Sequence, residues 1–166
     1  MDLKTQAINS TAHFSDCMKY RFTLKRTYAG GKGTLNFILL NPSTANEEFN
    51  DPTIGRCEIR TIAGGFNSMI ITNIFAFRAT DPQVMIASND PVGGLNDGAI
   101  LSSAKEANQV ICAWGEHGKL NERGIYVKKL LRENNIPMHA LKINKSGHPA
   151  HPLYLPHRLV PFAWGN

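Results

Sequence analysis

Cysteine is scarce in these 166 residues: Cys17, Cys57 and Cys112 are odd in number, widely spaced and never in a CxxC pair. That pattern excludes a disulfide framework and a four-cysteine metal or iron–sulfur centre. Long apolar runs are missing too, since no stretch approaches the roughly 20 residues of a membrane span. The opening MDLKTQAINSTAHFSD has no apolar core of a secretion signal, so the expected location is the cytoplasm, with reduced thiols and no membrane partner. Acidic residues are few, 13 against 18 lysines and arginines, a net charge of +5. A basic surface attracts polyanions by counterion release, but the cations here are scattered and form no block. What remains is an ordinary globular composition, 42% hydrophobic and 19% charged, of single-domain length that needs no covalent staple.

Residues 1–16 are polar and mixed and read as an N-terminal arm or short cap, followed by one α/β domain over 17–166. From Met18 to Tyr28, apolar Tyr20, Phe22 and Leu24 alternate with basic residues, the period of a half-buried strand. Gly30-Gly31-Lys32-Gly33 reads as a turn into a second strand, Thr34–Leu40, which predicts an antiparallel edge hairpin. This GGKG lacks the GxxxxGK[ST] phosphate-loop pattern. Asp51 as N-cap and Pro52 in the first turn start a helix that stops at Gly64-Gly65. Ser68–Asn73 is a strand, Asp81-Pro82 opens a short helical turn, and Asn96–Asn108 is a helix. Gln109–Ala113 is a strand, Glu122–Asn134 a helix and Met138–Leu141 a last strand. Strands alternating with helices predict a three-layer fold with a mostly parallel four-stranded sheet.

In such sheets the site lies outside the carboxyl ends of the strands. Asn41, Asn73, Trp114-Gly115-Glu116-His117 and the loop Lys142–Tyr154 all fall there. Each has a plainer reading: Asn41 before Pro42 opens an Asx turn, His148 and His151 are loop histidines, and Trp114 is core. A metal on His117, His148, His151 and His157 is an alternative, although no HxxxH or Cys/His spacing supports it. No GxSxG elbow supports a serine nucleophile. Backbone amides at the helix start, Asp51–Ile54, offer a phosphate site.

LNPSTAN (40–46), DPTIGRC (51–57), TNIFAFRATDP (72–82), NDPVG (89–93), AWGEHG (113–118) and GHPAHPLYLP (147–156) together resemble the bacterial and phage family catalogued as domain of unknown function 1643. The order of motifs is also similar to that of the uracil-DNA glycosylase superfamily. That resemblance implies its fold and a cofactor-free hydrolase cleaving an N-glycosidic bond of a flipped nucleobase in DNA, or of a related nucleoside or nucleotide. It makes Asn41 the water-positioning residue and His151 the leaving-group stabiliser, with Asn73, Phe49 and Tyr154 holding the base. His148, His117 and Trp114 are secondary candidates, and Arg78, Lys142 and Lys145 candidate phosphate contacts. The chain departs from that pattern in having no acid beside Asn41; Glu47 and Glu48 are farther along the loop, and an Asn orients water without taking its proton. A non-catalytic domain binding nucleotide or nucleic acid on the same rim is the other expectation.

Overall fold

The computed structural model describes residues 3–165. In chain order the strands are β1 (Leu3–Lys4), β2 (Asn9–Phe14), β3 (Arg21–Thr27), β4 (Thr34–Leu39), β5 (Phe49–Asn50), β6 (Ser68–Asn73), β7 (Gln109–Cys112), β8 (Met138–Ala140) and β9 (Phe162–Trp164). The helices are α1 (Pro52–Ala63), α2 (Pro82–Ile86), α3 (Asn96–Glu106) and α4 (Arg123–Glu133). Seven strands form one sheet in the order β2-β3-β6-β4-β7-β8-β9, and β1 pairs with β5 apart from it. The middle four, β6, β4, β7 and β8, run parallel, while β3 is antiparallel to β6, β2 to β3 and β9 to β8.

The parallel core follows from composition. β4 and β6 are buried at nearly every position, as strands covered on both faces must be. Ile54 and Cys57 of α1 pack on one face, against Phe37, Leu39 and Ile71. Ile100 of α3, Val127 of α4 and Met85 of α2 pack on the other, with Ile38 and Val110. The Asp51 carboxylate caps α1 by accepting the Ile54 N–H at 2.9 Å, and Pro52 occupies its first turn, as the residue pattern predicts. No described helix is long and apolar enough to cross a membrane.

Three expectations are corrected. The strand Arg21–Thr27 does not pair with Thr34–Leu39, because β6 lies between them. Instead of a hairpin turn, the glycine-rich stretch wraps the α1–β6 turn: Lys32 N–H donates to Gly65 O, and Ser68 N–H to Gly33 O. Gly31 has φ +89°, and a Cβ there would stand 2.6 Å from Gly65 O, so the close approach requires glycine. The antiparallel edge hairpin is β2–β3, built partly from the expected arm; Met1 and Asp2 of that arm, like Asn166, lie outside the described residues. The Pro/His-rich tail ends in a strand, β9, that closes the far edge on β8.

Candidate functional site

The chain leaves β4, turns through α1 into β6 on one side, and then crosses to β7 on the other, so the strand order reverses at β4. A cleft of about 450 Å³ opens there at the strands' carboxyl ends. After β4 it is lined by Asn41 and Ser43, after β6 by Ala79 and Thr80, after β7 by Trp114 to His117, and near β8 by His151 and Tyr154. Asp51 and Thr53 at the start of α1 complete the wall.

Two pairs of arginines hold the loops that carry these residues. Arg26, buried on β3, donates to the carbonyls of Asn46 (2.9 Å) and Phe49 (3.2 Å) and to Asn50 Oδ1 (2.8 Å). A register shift leaves Phe22 out of the β2–β3 pairing, and Arg21, beyond it, donates to Ala45 O at 3.0 Å. Burial lowers the Arg21 pKa to about 10, which still leaves it charged at neutral pH. On the other wall, Arg56 of α1 donates to Leu155 O (2.7 Å) and Pro152 O (3.3 Å), and Arg60 to Pro156 O (2.7 Å) and Leu159 O (3.1 Å). Bonds from charged donors to carbonyls are the stronger kind, so both loops are fixed before any ligand arrives.

His151 stands at the head of the second loop. Its Nδ1 accepts the Leu153 N–H at 3.3 Å, an acceptor role that assigns the proton to Nε2. Burial lowers its pKa from 6.5 to about 4, outweighing the nearby Asp51 carboxylate, which pulls the other way. At neutral pH it is therefore an uncharged imidazole, and its one hydrogen bond among the described residues is the one at Nδ1, which leaves Nε2–H unengaged. Gly115, at φ +76°, lets the β7 loop approach this ring: a Cβ there would stand 3.1 Å from His151 Cβ.

Asp51 faces the same cleft. Its Oδ1 accepts the Ile54 N–H and its Oδ2 the Ala45 N–H at 3.3 Å, which leaves one lone-pair direction on each oxygen. Asn41 donates from Nδ2 to Ala79 O at 2.8 Å and to Pro42 O at 3.2 Å, so its Oδ1 remains the acceptor. Ser43 and Thr80 share a hydroxyl bond at 3.1 Å. Ser146 donates to Glu116 Oε1 at 2.7 Å, which holds that carboxyl below its usual pKa. Tyr154 is 90% exposed at the rim.

Asn41, His151, Tyr154, His117 and Trp114 thus meet in one cleft, whereas the other residues singled out from the sequence stand elsewhere. Asn73 is buried and does not line it; neither polar atom of its side chain has a partner among the described residues. Phe49 pairs with Lys4 in the β1–β5 ladder. His148 accepts the Trp114 indole N–H at 3.3 Å in a separate, smaller pocket. Arg78 donates to Met18 O and stacks over Phe14. Lys142 and Lys145 are exposed on their loop, off the cleft. The four histidines do not converge, and among the described residues no three His, Cys, Asp or Glu side chains form a metal-holding group. The start of α1 does not offer a phosphate site, because Pro52 has no N–H and the Asp51 carboxylate takes the Ile54 N–H.

Sequence reasoning placed Glu116 on the rim without giving it a role, and missed Asp51 as a cleft residue. Asp51 carried a sufficient explanation as a helix cap, and only its spacing from Asn41 within one loop hinted at a second task. No curated protein and no solved structure matches the chain. A family model matches residues 21–153, from the start of β3 through the His-Pro loop and all of the cleft wall except Tyr154. The chain therefore belongs to the family described as Protein of unknown function (DUF1643).

Proposed function

We propose that this cleft hydrolyses the N-glycosidic bond of a nucleobase, in DNA or in a related nucleoside or nucleotide. The observation that carries the reading is His151: a half-buried, uncharged imidazole with its N–H unengaged, in one cleft with a carboxylate and an Asn acceptor. Breaking the bond sends its electron pair to the departing base and leaves an oxocarbenium ion on the sugar. Donation from Nε2–H to a base oxygen stabilises that anion, worth about 3 kcal/mol for one such donor. The Asp51 carboxylate opposes the sugar's positive charge, and the Oδ1 atoms of Asn41 and Asp51 accept from a water that adds to the sugar carbon. The water's proton ends on the released base. Tyr154 supplies the stacking face that Phe49, outside the cleft, does not, and Asn73, which does not line the cleft, takes no part in reading the base.

His151→Ala is expected to lower base release about 100- to 1,000-fold while the circular dichroism spectrum stays unchanged. Release at the wild-type rate from a folded variant removes His151 from the mechanism. One observation favours non-catalytic binding of a nucleotide or nucleic acid instead: both Asp51 oxygens already accept backbone N–H groups, so the carboxylate is engaged in holding its own loop and helix start. Tight binding with no base release across modified and unmodified substrates selects that alternative.

A further inference from the structure

We infer that the cleft takes an uncharged nucleoside in preference to a nucleotide or a nucleic-acid strand; the inference rests on the N-glycoside reading above and names its substrate class. Among the described residues no lysine or arginine lines the cleft, whereas two carboxylates, Asp51 and Glu116, do. Ser146 holds Glu116 in the ionised form, and His151 contributes no positive charge at neutral pH. A phosphate entering this space meets like charge without a counter-ion. The helix start that would cradle it is taken by the protein's own carboxylate at Ile54 N–H. The nearby arginines are turned to loop carbonyls: Arg21 to Ala45, Arg26 to Asn46 and Phe49, Arg56 to Leu155. Lys119 lies beside Glu116 without lining the cleft.

What the wall does offer suits a sugar. Sugar hydroxyls are donors, and Asp51, Glu116 and Asn41 Oδ1 are acceptors, while the Ser43 and Thr80 hydroxyls serve either role. A carboxylate is a recurrent partner of ribose hydroxyls in nucleotide sites. The volume of 450 Å³ falls in the range of about 300–1,000 Å³ typical of small-ligand pockets, room for one nucleoside and not for a strand.

The test uses the whole chain at low salt. Its substrates are the common ribo- and deoxyribonucleosides with deoxyuridine, their 5′-monophosphates, and a single-stranded oligonucleotide containing deoxyuridine. Base release is read by chromatography and binding by calorimetry. At least one nucleoside is expected to be cleaved with kcat/KM about tenfold or more above its monophosphate, a gap that added salt narrows. Glu116 is exposed, and Glu116→Lys is expected to close most of that gap. Faster cleavage of the monophosphate or oligonucleotide overturns the inference and leaves the glycosylase reading standing. An unchanged gap in Glu116→Lys removes its electrostatic basis. Nucleoside binding without release overturns the chemistry and upholds the ligand class, and absence of both binding and release overturns both.

Discussion

A half-buried histidine held neutral carries a measurable cost in acid. His151 in the folded chain takes up its proton only near pH 4, against 6.5 for the free group. Between those values the unfolded chain binds more protons than the folded one, so stability falls as pH drops from about 6.5 towards 4. Thermal melts across that window are expected to show this loss in the wild type and a flatter profile in His151→Gln. Equal slopes in both would place the acid sensitivity elsewhere. The same neutrality suits the proposed chemistry, because a neutral donor stabilises a leaving anion without first paying to bury a charge. Asp51 shows the converse economy at this scale, since one carboxylate both caps α1 and faces the ligand space.

At the scale of elements, the arginines tie the chain to itself, while most of the lysines stay exposed. Every arginine except Arg158 donates to at least one backbone carbonyl among the described residues, most of them in the loops around the cleft. Arg26 is the central case: it clamps the loop before α1 and lies 3.8 Å from Glu58, which Tyr28 and Asn50 also bond. Arg26→Met strands that buried carboxylate and several carbonyls, so a loss of about 3–5 kcal/mol is expected by urea unfolding. Hydrogen exchange should quicken over residues 45–50 ahead of the sheet. A loss well under 1 kcal/mol would mean that the loop holds itself.

Across the whole molecule, the far edge of the sheet reaches back to the site. Trp164 on β9 meets Trp114 edge-on at 5.8 Å, and Lys128 caps it at 4.5 Å. Trp114 in turn walls the cleft. Trp164→Ala is expected to cost about 2–3 kcal/mol and to shift the fluorescence of the remaining Trp114; an unshifted spectrum would separate the edge from the site. The parallel core strands, the capped helices and the rim holding Asn41 and His151 were legible in the sequence, because each rests on local signals: unbroken apolar runs, an Asp-Pro cap, and strand ends. Three things were not legible. Thr34–Leu39 sits beside Ser68–Asn73 and not beside its chain neighbour, because a strand buried on both faces gains more from the centre of a sheet than from a hairpin. Phe49 and Asn73 lie near the right strand ends yet turn away from the cleft, since the side-chain direction depends on pairing and loop path. Asp51 looked spoken for as a cap, and its second exposure arises only where the loops after β4 and β8 fold together. Periodicity and capping, being properties of adjacent residues, determined the elements from sequence alone; which strands pair and which side chains share a space are balances of burial between residues far apart in the chain, and tertiary structure alone decided them.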